Sequence, residues 1–408
     1  MTAVELLTSF SGESAKQYEP FFCFSEQTRI AAIEIHAVGT RSTTARYTDE
    51  PLAWKEVNNI LRITTADGYE AISGVTTNDQ GRFTDKHLIE LQSVMPVLLS
   101  LQTLDPVEIG EKLDRTRPDL SDKARSSIDI ALWDLAARRA GLPLCKLLGA
   151  KRRSIEPYAS LPFYDSLPTC VAAVEEFAKL GFRTFKFHAW GNFEKDSKLL
   201  GMIQQTFSGT PYRFMIDLEA AYNIDEALSL GRKMDPKLFV WLEGPIDDLQ
   251  LEQYAKLRRE LTVPVIPAGN STYSAKFIRQ GIEKQSWDAG RFDVTVIGGF
   301  SKALELIGIA NDAGLPIEIQ SWDHSLSQVA NLHLMLANER TRYFEAPMPK
   351  QAFEFGMTNG NLLEKGRIVA PDGLGLGIDV NWDRLATADF YVYSRHELQV
   401  SPGMPIQH

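Results

Sequence analysis

Strand-like and helical periodicities follow one another in two regimes along this chain. From Gln27 apolar residues alternate with polar ones (Ile30, Ile33, Ile35), a polar stretch runs from Gly39 to Asp49, and a second strand-like segment around Ile60 to Thr64 enters the turn Ala66-Asp67-Gly68. That pattern predicts a hairpin or small meander. Helical periodicity follows over Lys86 to Leu101, Val107 to Leu113 and Lys123 to Ala140, where Gly141-Leu142-Pro143 supplies a Gly-then-Pro stop. Residues 1–26 carry an aromatic knot at Phe21, Phe22 and Phe24 without a clear period, and read as an N-terminal extension. Residues 27–150 are read most economically as an α+β domain.

Beyond residue 150 short apolar runs alternate with amphipathic helical stretches. The runs are Ile155 to Ser160, Thr184 to Ala189, Arg213 to Leu218, Leu238 to Glu243, Val265 to Gly269, Asp293 to Val296, Ile317 to Gln320 and Tyr343 to Phe344. Between them lie Leu167 to Leu180, Lys195 to Thr206, Asn223 to Met234, Leu249 to Leu261, Ser274 to Lys284, Phe300 to Ala313 and Leu326 to Asn338, with Asn223 and Glu226 spaced as a capping box. Eight strands alternating with helices, β-branched and aromatic in their interiors, predict a parallel (β/α) barrel over residues 151–350. A doubly wound open sheet is the rival. It is disfavoured because the chain has neither a Gly-x-Gly-x-x-Gly after the first strand nor a Gly-x-x-x-x-Gly-Lys-[Ser/Thr]. Residues 351–408 form a tail whose loop Ala370-Pro371-Asp372-Gly373-Leu374-Gly375-Leu376-Gly377 is expected to pack back on the first domain.

The composition is that of an ordinary globular chain of 408 residues, 44% apolar and 24% charged, which excludes collagen-like and low-complexity readings. Forty-three Lys and Arg against 53 Asp and Glu give a formal charge of −10, which argues against a nucleic-acid or anionic-membrane surface and makes a small molecule the expected ligand. Cys23, Cys145 and Cys170 have no CxxC pairing and suit a reducing compartment. The first fifteen residues lack Lys and Arg, and no apolar run approaches the roughly 18 residues of a membrane span. A cytoplasmic, non-membrane protein is therefore expected.

Chemistry enters with the carboxylates at predicted strand ends. Asp217 closes Phe214-Met215-Ile216, Glu243 closes Val240-Trp241-Leu242, and Asn270 follows Val265 to Gly269. They recur about one strand-plus-helix unit apart, so in a barrel they return to one rim, where such folds place their chemistry. Oxygen ligands converging from adjacent strands suit one Mg²⁺. The competing reading makes Asp217 and Glu243 helix caps or ion-paired rim residues, and Asn270 with Ser271 a helix start.

Several motifs taken together resemble one family. They are Ser126-Ser127-Ile128-Asp129-Ile130-Ala131-Leu132-Trp133-Asp134-Leu135, Gly141-Leu142-Pro143-Leu144, Leu147-Leu148-Gly149, Lys186-Phe187-His188, Met215-Ile216-Asp217, Trp241-Leu242-Glu243-Gly244-Pro245, Asp293 to Gly299 and Pro371 to Gly377. In order and spacing they resemble the mandelate racemase/muconate lactonizing enzyme branch of the enolase superfamily over roughly residues 27 to 385. The resemblance implies an α/β fold, a modified (β/α)₇β TIM-type barrel with an α+β capping domain completed by the C-terminal tail. It also implies one Mg²⁺ per subunit, a homo-oligomer, and abstraction of the proton α to a substrate carboxylate. By the same resemblance Asp217 and Glu243 are the first two metal ligands. Asn270 takes the third position, where an acidic residue is usual, leaving the site one negative charge poorer.

Lys186 and His188 stand where the family carries Lys-x-Lys on the second barrel strand, and alternation sends both to the same side. His188 is the expected base, its pKa depressed by Lys186 and a bound cation. Asp293 resembles the sixth-strand Asp that orients a seventh-strand His, yet Gln320 stands where that His would be; His324, four residues further on, is a candidate acid beside His188 for loss of the 3-hydroxyl if its loop folds back into the site. Glu345 resembles the family's eighth-strand carboxylic acid beside the enediolate, whereas His333 is read as a packed helix residue. Gln320 and Trp322, with Arg41 and Tyr47 of the Gly39 to Glu50 loop, are candidate substrate contacts; Arg46 is a further one. Loss of the seventh-strand His favours a dehydratase of an aldonate or aldarate, giving a 2-keto-3-deoxy acid. A racemase or epimerase, a cycloisomerase, and a non-catalytic barrel that binds an acid sugar are the alternatives.

Overall fold

The computed structural model of the chain describes residues 1–12, 15–42, 54–77, 85–164, 166–269, 273–360 and 362–398. Residues read as extension begin with a helix, α1 (Ala3–Ser11), closed by a capping box: Thr2 Oγ1 accepts from Glu5 N–H at 3.2 Å and Glu5 Oε2 accepts from Thr2 N–H at 2.7 Å. The Asp105 carboxylate anchors it by accepting from Ala3 N–H at 2.8 Å.

The meander follows as β1 (Ile30–Ser42), β2 (Trp54–Thr65) and β3 (Glu70–Thr77), then α2 (Lys86–Leu99), α3 (Pro106–Thr116), α4 (Asp122–Arg139) and the short α5 (Leu144–Leu147). The strands pair antiparallel with Ile33 opposite Ile63 and Ile35 opposite Leu61. That register puts these side chains against Leu91, Val94 and Leu98 of α2 and Ile128, Ala131 and Leu135 of α4, a buried apolar layer that fixes the sheet's inner face.

The barrel strands are β4 (Ser154–Ser160), β5 (Thr184–His188), β6 (Arg213–Asp217), β7 (Phe239–Glu243), β8 (Val265–Ile266), β9 (Gly290–Phe292), β10 (Ile317–Ile319) and β11 (Tyr343–Pro347). Between them run α6 (Leu167–Lys179), α7 (Phe193–Phe207), α8 (Ile224–Gly231), α9 (Leu251–Glu260), α10 (Ala275–Lys284), α11 (Phe300–Asp312) and α12 (Ser325–Ala337). Parallel pairing is continuous from β11 through β4 to β8, and β9 pairs with β10. The two arcs are joined by Asp288 N–H to the Val265 carbonyl at 3.0 Å and by the Thr341 hydroxyl to the Ile317 carbonyl at 2.7 Å. The result is a (β/α)₇β barrel with an α+β capping domain. One expected strand is displaced: the sixth is Gly290–Phe292, and Asp293 to Val296, read as the run itself, is the turn that follows.

The tail adds β12 (Leu363–Glu364) and β13 (Arg367–Val369) to the edge of β4, then α13 (Trp382–Leu385) and β14 (Phe390–Glu397), which pairs with β1. Its Gly-rich loop is clamped by Asp134 of α4, whose carboxylate accepts from Leu376 N–H at 2.6 Å and Ile72 N–H at 2.8 Å. The capping sheet reaches the barrel directly: Ser327 of α12 donates to the Gly74 carbonyl at 2.9 Å, and Thr76 of β3 bonds Asp323.

Candidate active site

Strand register brings the predicted residues to one level. His188, Asp217 and Glu243 are direct neighbours across β5, β6 and β7, and Ser160 pairs with Lys186 across β4 and β5. Below them Tyr158, Trp241 and Tyr343 fill the barrel as an aromatic floor, with ring centroids 5.7 to 6.4 Å apart. The floor offers its polar atoms upward. Trp241 Nε1 donates to Glu243 Oε2 at 3.0 Å, and Tyr158 Oη accepts from Arg291 Nη2 at 3.1 Å.

Above the floor lies a layer of buried charge. Lys186 Nζ sits 2.7 Å from Glu345 Oε1, 2.9 Å from Glu243 Oε1 and 3.6 Å from Asp217 Oδ2. Arg291, wholly buried, lies with Nη2 3.0 Å from Glu345 Oε2 and Nε 2.9 Å from Glu243 Oε1. Ser160 donates to Glu345 Oε1 at 2.8 Å. Burial pulls the Lys186 pKa down, but Glu243 and Glu345 outweigh it and hold the ammonium charged. Burial alone would raise Glu345, yet Lys186 and Arg291 keep its carboxyl well below the usual carboxylate range. For Glu243, burial with Asp217 and Glu345 alongside prevails over Arg291 and Lys186 and lifts it to about 7. Asp217 rises to about 6 through burial and the neighbouring Glu219.

His188 stands at the edge of this layer between the rings of Phe163 and Trp322, whose centroids lie 5.5 and 5.2 Å away. Its Nδ1 is 2.7 Å from the Leu161 carbonyl, which only accepts, so Nδ1 carries the hydrogen and Nε2 is the basic atom. Burial, then Lys186, lowers its pKa to about 4, so the imidazole is neutral at pH 7. Nε2 faces Glu219 Oε1 at 3.8 Å.

The structure thus brings Lys186, His188, Asp217, Glu243 and Glu345 together, with Trp322 beside His188. Gln320, after β10, reaches over Gly269 beside Arg291. Asp293 is held by polar neighbours other than histidine among the described residues: Oδ1 accepts from Thr295 N–H and hydroxyl, both at 2.7 Å, and from Asn331 Nδ2 at 2.8 Å, and burial raises its pKa to about 6. His324 is buried at the start of α12, where its backbone N–H donates to Asp323 Oδ1 at 2.7 Å. Burial lowers its pKa against the pull of Asp323 and a hydrogen bond with the Phe353 backbone. Asn270 and Tyr47, with Arg46, lie outside the described residues; Arg41 is paired with Lys55 in the β1–β2 ladder, its side chain lying outside the description.

Two site residues escape the sequence reading. Arg291 is missed because Gly290-Arg291-Phe292 is too short and too polar to read as a strand. Glu219 lies two residues beyond Asp217, and its signal was its place in a loop leaving the C-terminal end of a barrel strand. Glu219 and Ala220 both adopt left-handed backbone, each with φ of 54°, an uncommon pair for non-glycine residues.

The residues present fit a divalent cation. Among the described residues four carboxylates (Asp217, Glu219, Glu243, Glu345) face two cations (Lys186, Arg291), which leaves two negative charges when all are ionised. Among the described residues His188, Asp217 and Glu219 offer ligand atoms within 4.8 Å of one another. Glu243, though engaged by Lys186, Arg291 and Trp241, retains lone-pair capacity.

Comparison with known proteins matches residues 169–384 to the enolase C-terminal domain-like family and residues 53–149 to the mandelate racemase/muconate lactonizing enzyme N-terminal domain. D-galactarolactone cycloisomerase of Agrobacterium fabrum is 28% identical over 288 residues, 67% of this chain and 75% of that protein. Arabinonate dehydratase of Saccharolobus solfataricus is 28% identical over 262 residues, 62% of this chain and 69% of that protein. The crystal structure of L-talarate dehydratase from Polaromonas sp. JS666, complexed with Mg and L-glucarate, superposes with a TM-score of 0.76 at 21% identity, covering 90% of this chain and 99% of that one. The two family matches, with the capped (β/α)₇β barrel and its ring of strand-end carboxylates, establish that the chain belongs to the enolase superfamily, in its mandelate racemase/muconate lactonizing enzyme branch.

Proposed function

We propose that the chain is a hydro-lyase that removes water from a sugar acid, an aldonate or aldarate, by abstracting the proton α to its carboxylate. The observation that carries this reading is the neutral His188 standing two residues from the permanently charged Lys186 on one barrel strand, with a lone pair on Nε2 turned toward the carboxylate layer. Asp217 and Glu243 are the residues that would hold the divalent cation. Such a cation, when bound, offsets charge on the oxygens of the substrate carboxylate.

The remaining work falls to the chain. Lys186 supplies a fixed ammonium beside the oxygens that gain charge as the α-proton leaves, in an interior where that interaction is little screened. Glu345, held by Lys186, Arg291 and Ser160, keeps the ammonium in place. His188 Nε2 takes the α-proton while the Leu161 carbonyl holds the opposite nitrogen and steadies the ring. The C3–O bond then breaks as the imidazolium returns its proton to the departing hydroxyl, leaving an enol that tautomerises to a 2-keto-3-deoxy acid. One acid/base group on one face suffices for this sequence. Racemisation needs a second base opposite; the His324 ring, buried at the start of α12, is hydrogen-bonded to the Phe353 backbone, and the single acid/base role falls to His188. A cycloisomerase, the activity named for the Agrobacterium relative, would use the same first step.

Incubation of the purified chain with Mg²⁺ and a library of acid sugars tests the reading. Accumulation of a 2-keto-3-deoxy acid from at least one member is expected; conversion only to epimers or ring isomers would replace dehydration by one of the alternatives.

A further inference from the structure

By the family resemblance the third cation position falls to a neutral amide, Asn270, which lies outside the described residues. A hard divalent cation is held chiefly by carboxylate oxygens, so a charge is missing from that set. Of the four carboxylates in the site, Glu243 is heavily engaged, with Lys186 and Arg291 at Oε1 and Trp241 on Oε2. Glu345 is engaged further still, by Lys186, Arg291, Ser160 and the Ser321 N–H. Asp217 takes the Glu219 N–H on Oδ1 at 2.9 Å and has Lys186 only at 3.6 Å, while among the described residues Glu219 has no Lys or Arg at contact distance and faces the neutral His188 at 3.8 Å. The unspent negative charge is therefore on Asp217 and Glu219.

A second feature points to something between them. His188 is 92% buried, from an exposure of 8%, and its Nδ1 hydrogen is committed to the Leu161 carbonyl. Its Nε2 lone pair then looks at Glu219 Oε1 across 3.8 Å, too far for a hydrogen bond. Three electron-pair donors, Nε2 and the oxygens of Asp217 and Glu219, face one space within 4.8 Å. Without a positive charge there they repel. The backbone builds this arrangement deliberately: consecutive left-handed residues Glu219 and Ala220, fixed by Ala220 N–H to the Gly244 carbonyl at 2.7 Å, turn the Glu219 side chain back toward His188.

We infer that Glu219 is a ligand of the divalent cation in this site, supplying with Asp217 the carboxylate that position 270 lacks. His188 borders the ion and keeps Nε2 for the substrate proton. The inference rests on the metal-assisted reading above, and binding of the ion itself can be followed without turnover.

Titration of the full-length chain with Mn²⁺, followed by electron paramagnetic resonance of the free ion and by calorimetry with Mg²⁺, tests it. Glu219→Gln, an isosteric change at the mouth, is expected to weaken Mn²⁺ binding by about tenfold or more, Glu219→Asp by less, and His188→Gln by no more than about threefold. Unfolding midpoints matching the wild type show that each variant is folded. Glu219→Gln binding as tightly as wild type, no Mn²⁺ uptake by the wild type, or a loss in His188→Gln as large as in Glu219→Gln would each overturn the inference. Keto-acid production by a wild type whose Glu219→Gln variant binds Mn²⁺ normally would sink the inference alone; Glu219-dependent Mn²⁺ binding without product from any acid sugar would sink the proposed function alone.

Discussion

Arg291 and Glu345 form a fully buried ion pair, Nη2 to Oε2 at 3.0 Å, inside the barrel above the aromatic floor of Tyr158, Trp241 and Tyr343. Lys186 holds the second oxygen of the same carboxylate at 2.7 Å, so two cations from β5 and β9 meet on one anion from β11. Burying these groups separately would cost several kcal/mol each; together they form a charge layer that only this closed ring of strands can assemble.

Removing one member therefore strands the others. Arg291→Met leaves Glu243 and Glu345 with Lys186 alone and is expected to lower unfolding stability by about 3–5 kcal/mol. Arg291→Lys should lose less, because the charge survives while the forked geometry does not. Denaturant titration of both variants checks the order; an Arg291→Met protein as stable as wild type would show the ion layer to be dispensable.

The clamp between the two domains is sterically exacting. Gly375 has φ of 64°, and a Cβ there would lie 1.8 Å from Asp134 Oδ1, the carboxylate that receives Leu376 N–H. Gly375→Ala should destabilise the chain by about 2–4 kcal/mol, combining overpacking with an unfavourable left-handed alanine. Gly68→Ala, at φ of 86° in open space, is the control and should cost only the backbone part. Equal thermal midpoints for the two variants would contradict the clamp.

His333 makes stability depend on acid. It lies in α12 with Nδ1 accepting from Cys145 N–H at 3.0 Å and Nε2 donating to the Leu376 carbonyl at 3.1 Å, an arrangement only the neutral ring satisfies. Burial lowers its pKa to about 4. Below pH 6.5 the unfolded chain binds a proton that the folded chain refuses, so the stabilisation is complete above about pH 6.5 and is lost as pH falls, by about 3 kcal/mol at pH 4. The stability gap between wild type and His333→Gln should narrow from pH 7 to pH 4.5. A gap independent of pH would show that His333 is not titrating as described.

Much of the architecture is written in local pattern. The capping box at Asn223 and Glu226 starts α8, the Gly-Leu-Pro stop ends α4, and Asp217 and Glu243 close their strands. Pattern fails where the element is short or its partner remote. β8 has two residues and β9 three, so Arg291 could not be told from a linker, and the run was displaced onto the turn at Asp293. The Thr2 and Glu5 box at the head of α1 carried a helix signal that the lack of periodicity obscured. β14 finds β1 from the far end of the chain, a pairing that depends on closure of the whole fold. Glu219 needed the left-handed turn, which no composition reveals in a Glu-Ala pair.

The central claim is that His188 removes an α-proton with help from Lys186. It is tested most directly by solvent ²H incorporation into an acid-sugar substrate in the presence of Mg²⁺, compared across the wild type, His188→Asn, Lys186→Met and His324→Asn. The account predicts exchange in the wild type and in His324→Asn, and a loss of about 10² to 10⁴ in rate in His188→Asn, the usual effect of deleting a general base. Lys186→Met should also lose exchange. Exchange that survives in His188→Asn but disappears in His324→Asn would contradict it, and would move the base to the other side of the barrel.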